Sequence, residues 1–451
     1  GGGGGGGGGQ RVVMLEAREA CSGATGRNGG HCQPMLYGSE PAVAAFELEV
    51  FEFLEKFVEE HGVDCDWASI GGVHAFLSDD MFQLAAAQAE KLQKSHPELG
   101  AQVEVVRPSD ASSKYTLASL RVPTAKGVVM QKKAASLWPY KLVAFVLERL
   151  ISSFPAPSFN LQTNTPATSL ARAEDGTSWT ITTPRGSITA RTVLLATNGY
   201  TSHLLPAFAD LIVPVRGQIG ALLPPKPNNT AGLPARLAHT YVFAADPDFV
   251  SAARAPGAPR DDYLVQRPLP TGELIYGGGR RVARGLGVGE WRDDELEGGV
   301  AGYLRGNLAP VLDLTPPGEA VARGGEGELE ASFEWTGIMG YSRDHHAWVG
   351  PVPERLGGGG PDGGLWICAG YTGHGMPAAA LSAREVVRQM VRGGAVAGEG
   401  DGVTFPGEFV LSEERVGRAR GLPHLTQGWE TTNYTSLLGG FTLSTADGEA
   451  S

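Results

Sequence analysis

The chain has 451 residues, enough for a large core and for two interleaved domains. Its 42% hydrophobic and 19% charged residues fit a soluble globular protein, and a net charge of −12 with no offsetting basic cluster argues against nucleic-acid binding. No window reaches the ~18 consecutive apolar residues of a membrane span. The four Cys form neither a disulfide framework nor a Cys-x-x-Cys pair. No signal peptide or peroxisomal tripeptide is evident, so a cytoplasmic location is expected.

Nine glycines open the chain, Gly1–Gly9. Poly-Gly cannot supply an amphipathic helix and resists ordering, so its formal match to Gly-x-Gly-x-x-Gly carries no weight. Val12-Val-Met-Leu-Glu16 then reads as an apolar strand ending in an acid, followed by the Gly-rich loop Cys21–Gln33. A dinucleotide-binding fold presents such an acid to an adenosine ribose. That fold begins with a strand, a glycine turn and a helix, so the expectation is an N-terminally incomplete chain in which poly-Gly replaces them.

Phe46, Val50, Phe53, Leu54, Phe57 and Val58 recur at helical spacing, which predicts a helix over Glu40–His61. A strand is expected over Ile70–Ser78, a helix over Asp79–Ser95 and another over Trp138–Ser152, with Pro139 in its first turn. Ser178–Thr183 and Gly186–Ala190 alternate around Pro-Arg-Gly and predict a hairpin. Thr192–Thr197 is a continuous apolar run, expected as a buried parallel strand. From Val213 to Phe333 the texture changes. Ile212–Leu223, Thr240–Ala244, Tyr263–Arg267 and Glu273–Gly277 read as strands of a mainly antiparallel sheet. Leu365–Arg392 returns to strand, loop and helix, with Ala383, Val386, Val387, Met390 and Val391 expected on one helix face and Gly393-Gly394 ending the helix. Residues after about Asp401 read as a tail with few core signals.

The loop Thr25-Gly-Arg-Asn-Gly-Gly30 resembles the flavin loop of the FAD-dependent D-amino-acid oxidase superfamily, in the branch similar to gamma-glutamylputrescine oxidase and glycine oxidase. A second segment, Gly373-His-Gly-Met376, resembles that family's C-terminal flavin motif. The resemblance runs from about Val12 to Met390. It implies an α/β fold: a Rossmann-type FAD-binding domain with an interleaved α+β substrate domain built on a mainly antiparallel sheet. The expected boundaries are 10–65, 125–210 and 334–400 for the FAD part, 66–124 and 211–333 for the substrate part, and 401–451 for the tail.

It also implies roles. Glu16, with Ala17 and Arg18, would meet the ribose; an exposed acid at a strand end is the alternative. Thr25, Gly26, Arg27, Asn28, Gly29, Gly30 and His31 would pass along the pyrophosphate and the ring edge. The flavin is expected to be held without a covalent bond, His31 and Cys32 being the only plausible attachment points. Ala167 would meet the adenine, Asn198 and Gly199 would lie near the cofactor, and Gly373, His374, Gly375 and Met376 would face the flavin N1/O2 edge ahead of a helix from Pro377. A strand-plus-turn reading accounts for Ala167, Asn198 and Gly199 almost as well. No single catalytic residue is assigned. Tyr276, Arg280 and Trp335 are the substrate-side candidates, Arg280 as a carboxylate partner or a solvated strand-end arginine. Some relatives carry a lysine in this sheet that promotes reaction with oxygen; the corresponding position here is Ile275. His345-His346 read as adjacent strand residues on opposite faces, which does not suit a shared metal site. The implied activity is oxidation of an amine or amino-acid C–N bond, with FAD as cofactor and molecular oxygen as acceptor. A dehydrogenase with another acceptor and a truncated cofactor-free paralogue are the alternatives.

Overall fold

The computed structural model describes residues 11–108, 110, 113–225, 233–245, 260–316, 319, 327–391 and 404–425. The Gly1–Gly9 run and the expected helix stop at residues 392–394 lie outside the described residues.

The helices follow their sequence signals. Pro41–His61 starts at a proline whose missing N–H costs nothing in the first turn, and Gly62 ends it at φ 57°. Val43, Phe46, Val50, Phe51, Leu54 and Val58 bury one side of it. Asp79–Ser95 carries Asp79 and Asp80 in its first turn, where acids complement the helix dipole. Pro139–Ser153 again begins at proline.

Two parallel pairs form the α/β part. Val12–Leu15 pairs with Phe159–Gln162, and Val193–Leu195 with Leu365–Ala369, which Trp348–Pro351 joins antiparallel. Val193–Leu195 is shorter than the expected run and only Leu195 is fully buried. The predicted hairpin is present as Trp179–Thr183 and Gly186–Ala190, with Ser169–Arg172 as a third strand.

A larger sheet has eight strands in the order Ala331–Ser342, Ile212–Leu222, Leu274–Gly278, Arg260–Gln266, Thr240–Ala245, Gly72–Phe76, Gly127–Gln131, Val103–Val106. Its neighbours are antiparallel except Thr240–Ala245 beside Gly72–Phe76. The expected boundaries need adjustment here. Gly127–Gln131 and all of Ala331–Ser342 belong to this sheet, because each pairs along its length with a sheet strand.

Three further expectations are corrected. The helix near the C-terminal motif spans Ala379–Val391, not from Pro377, and it buries Leu381, Ser382, Glu385, Val386 and Gln389. Ala383, Val387 and Val391 face outward, since the helix packs by its mixed face. His345 and His346 lie in the turn between two strands, with His345 at φ 67°. Residues 404–425 are part of the core rather than a tail. Phe405 and Phe409 pack edge-on against Phe46, and Arg415 stacks 3.7 Å over Trp348 while its Nε sits 2.8 Å from Asp344.

Candidate functional site

The first loop is built at the carboxyl end of Val12–Leu15. Glu16 is half-buried there. Its carboxylate accepts from the Arg18 N–H at 3.0 Å, and its carbonyl accepts from Thr165 N at 2.9 Å. Ala17 and Arg18 are exposed, and Arg18 pairs with Asp293 at 2.9 Å. Thr25, Gly26 and Arg27 lie in one helical turn, Ala24–Arg27, closed by Asn28. The Asn28 side-chain oxygen accepts from Gly30 N at 2.6 Å.

Arg27 was expected to meet phosphate or a ring edge. Its guanidinium ties the loop to the large sheet: it donates to Ser22 O at 2.9 Å, Asp293 O at 2.6 Å and Thr336 O at 2.7 Å. Trp335 Nε1 returns a bond to Arg27 O at 2.8 Å. Gly29 packs so closely on the sheet that a Cβ would lie 2.7 Å from the Tyr263 ring and 3.2 Å from Ile275. Gly30 has φ 88°, and a Cβ there would meet Leu137 O at 2.1 Å.

The second loop gathers at the carboxyl ends of the parallel strands Val193–Leu195 and Leu365–Ala369, where open α/β sheets place ligands. Asn198 Oδ1 accepts from Gly370 N at 3.0 Å and joins the two strand ends. Gly199 backs onto Ile338 and Met339, and the Ala167 carbonyl accepts from Tyr200 OH at 3.2 Å. Gly373 stands at φ 77°, with its Cβ position 3.1 Å from Met339 Sδ and 3.3 Å from Tyr341 OH. Met376 packs on the apolar cluster beneath the Pro41–His61 helix.

The face of the large sheet toward the first loop carries Ile219, Ala221, Tyr263, Val265, Ile275 and Trp335. Tyr276 is not on it. Strand alternation turns its ring to the opposite face, where it is fully buried with Arg260 and Asp262. Tyr263 is the tyrosine on the site face; it stacks on His31 with ring centroids 6.0 Å apart. Arg280 is 14% exposed, neither solvated nor at a free strand end. Its Nη2 donates to Tyr341 OH at 2.5 Å and its Nε lies 3.3 Å from Asp261, while Nη1 is buried without a partner among the described residues. Tyr341 is also the neighbour of Gly373, so Arg280 stands beside the second loop.

A polar cluster, which the sequence reading missed apart from His31 and His374, lies between the loops. His31 Nε2 is 3.0 Å from Thr240 Oγ1, and His74 Nδ1 is 2.6 Å from Tyr37 OH, with Gln33 on its other nitrogen. Burial pushes the His31 imidazole down to about 4, the charge of His374 acting the same way and a Gln33 hydrogen bond opposing. His74 is pushed down to about 3 by burial and by His31 and His374. Glu47, 3% exposed in mid-helix, accepts from Met35 N at 2.7 Å and from His374 Nε2 at 3.1 Å. Burial pulls His374 down, but the Glu47 carboxylate outweighs it and the imidazole is raised above its ordinary range. A sequence signal existed: Glu47 is an acid on the apolar stripe of its helix.

A family model described as DAO, FAD dependent oxidoreductase, matches residues 7–389. The chain belongs to this family of FAD-dependent oxidoreductases. A curated relative, the probable oxidoreductase OrdL of Rhizobium meliloti (strain 1021), is 25% identical over 384 residues, covering 81% of this chain and 74% of the relative. Among solved structures, glycine oxidase from Geobacillus kaustophilus shares the fold at TM-score 0.62 and 17% identity, covering 88% of this chain and 92% of its own. L-proline dehydrogenase from P. horikoshii does so at 0.58 and 15% identity, covering 86% and 88%.

The residues present fit the family's cofactor. Gly30 and Gly373, at φ 88° and 77°, give the two loops the left-handed backbone that lets a chain pass close to a flat cofactor. Among the described residues no group of His, Cys, Asp and Glu could hold a metal ion, and no helix is long and apolar enough to cross a membrane. The two glycines of the second loop are expected to differ. In FAD-stripped protein Gly373→Ala should cost about 1–2 kcal/mol, because its left-handed backbone disfavours any side chain. Gly375→Ala should be nearly neutral, its Cβ meeting Tyr371 at an ordinary 3.5 Å. Urea denaturation of the two variants checks this, and equal losses would refute it.

Proposed function

We propose that this family member oxidises the C–N bond of a small amine or amino acid bearing a carboxylate, and that Arg280 holds that carboxylate. The supporting observation is the Arg280 guanidinium, buried beside the second loop with Nη1 unpartnered among the described residues. Burial raises the Asp261 carboxyl against the pull of Arg280. When bound, FAD supplies the hydride acceptor. Glu16, the Thr25–His31 loop, Ala167, Asn198, Gly199 and the Gly373–Met376 turn would hold it, without a covalent bond. Arg280 would orient the substrate, and Tyr263, Val265, Ile275 and Trp335 would exclude water above it. The neutral amine gives up a hydride from its α-carbon and a proton from nitrogen, and the imine is hydrolysed by water.

Arg280→Gln should lower kcat/KM for a carboxylate substrate by about 100-fold, the loss of roughly 3 kcal/mol for a charged hydrogen-bonded contact. It should change little for the matching amine without a carboxylate. An equal loss on both substrates would refute the assignment. For reoxidation, oxygen is the first reading. An acceptor other than oxygen is the second, favoured by the apolar Ile275 packed beside Gly29 where some relatives carry a lysine. Oxygen uptake measured against reduction of an artificial acceptor decides between them.

A further inference from the structure

We propose that Glu47 is a positioning residue: one carboxylate, buried in the middle of a helix, ties the two cofactor loops together and sets the His374 imidazole of the second loop. The inference rests on the family's cofactor and is independent of the carboxylate reading for Arg280.

The geometry is specific. Glu47 lies on the same side of its helix as Val43, Phe46, Val50 and Phe51, where an acid is costly unless paired. Its Oε2 takes two donors from segments distant in sequence, Met35 N at 2.7 Å and His374 Nε2 at 3.1 Å. Met35 follows the first loop, and His374 lies in the turn before Ala379–Val391. Replacing a buried ion pair with apolar residues is often neutral or stabilising, so stability alone is a weak reason for this one.

The groups around His374 suit a single charge. Glu47 faces it from the Pro41–His61 helix, His31 from the short strand after the first loop, and His74 from Gly72–Phe76. Cys32 also feels the Glu47 charge, and burial raises its thiol. His31 is engaged by Thr240, and His74 by Tyr37 and Gln33. Both are held neutral, partly by the charge on His374 itself. A cation in this turn adds to the partial positive charge of the helix start behind it. It would favour the reduced flavin, which can carry negative charge, over the oxidised form.

The test uses full-length protein in wild-type, Glu47→Gln, Glu47→Asp and His374→Gln forms. Ring-labelled histidine NMR follows the His374 imidazole, and dye equilibration gives the two-electron flavin potential against pH. In wild type His374 should titrate above 6.5, and in Glu47→Gln below it. At neutral pH Glu47→Gln should weaken reduced relative to oxidised flavin about tenfold, a fall of about 30 mV. The difference should shrink and then reverse as pH rises through the wild-type His374 midpoint, where the cation is lost in both but only wild type keeps the Glu47 carboxylate. Glu47→Asp should keep the potential even where it loses stability. His374→Gln should reproduce or exceed the fall, and adding Glu47→Gln to it should raise the potential part of the way back, since it removes the carboxylate left unpaired. An unmoved His374 midpoint, an unmoved potential, or additive effects in the double variant would overturn the proposal.

Discussion

Asp262→Ala is expected to destabilise the protein by about 3–5 kcal/mol, the usual cost of breaking a buried charge pair from one side. Asp262 and Arg260 are each 1% exposed and lie 2.7 Å apart. Asp262 Oδ2 also accepts from Tyr276 OH and Tyr303 OH, both at 2.7 Å, and Oδ1 accepts from Gly279 N at 2.8 Å. Arg260 donates to Tyr276 OH at 2.6 Å and to Asn307 O at 2.7 Å. Alanine would leave a buried guanidinium and two hydroxyls without their acceptor. Because the Gly279 amide is held by the same carboxylate, the variant should also loosen Arg280, and KM for a carboxylate substrate should rise. Arg260→Met combined with Asp262→Leu should lose less than Asp262→Ala, since it removes both charges. Urea denaturation of the three proteins checks this, and a loss below about 1 kcal/mol for Asp262→Ala would count against it.

Stability is expected to fall steeply as pH drops from about 6.5 toward 4. His31 and His345 are pushed down to about 4 and His74 to about 3, burial being the largest cause in each. Below 6.5 the unfolded chain binds protons that these folded imidazoles refuse. The unfolded state then holds more protons, so stability rises with pH through this window and is lost on acidification. Each imidazole contributes up to about 1.4 kcal/mol per pH unit, and the loss levels off below its folded value. His374 runs the other way: its pairing with Glu47 stabilises fully below 6.5 and is lost as pH rises through its raised pKa. Denaturation midpoints between pH 8 and 4 should show the slope, and His74→Gln should flatten it. A midpoint independent of pH across that range would refute the neutral assignment.

Much of this architecture was legible in the chain. Asp79–Ser95 has the same limits in sequence and structure, because its acids, its apolar spacing and the proline after it are local signals. The glycine-rich loops were legible for a similar reason. A backbone at φ 77° or 88° tolerates little but glycine, so Gly373 and Gly30 show in composition what the fold requires.

Other features depended on contacts that no local window contains. Tyr276 and Tyr263 both read as strand tyrosines, and only the register of Arg260–Gln266 against Leu274–Gly278 turns one into the core and the other toward the site. Residues 404–425 lack the density of apolar residues that marks a core, yet Phe405, Phe409 and Arg415 dock on partners hundreds of residues earlier or on a distant turn. Glu47 and His374 are 327 positions apart. Sequence by itself determined the first three long helices, the strand texture, the two loops and the family, all properties of short segments. Tertiary structure alone decided which faces meet, that Arg27 staples the first loop to the sheet, and that a buried acid meets a histidine of the second loop. Burial and charge pairing are sums over neighbours that only the folded chain brings together.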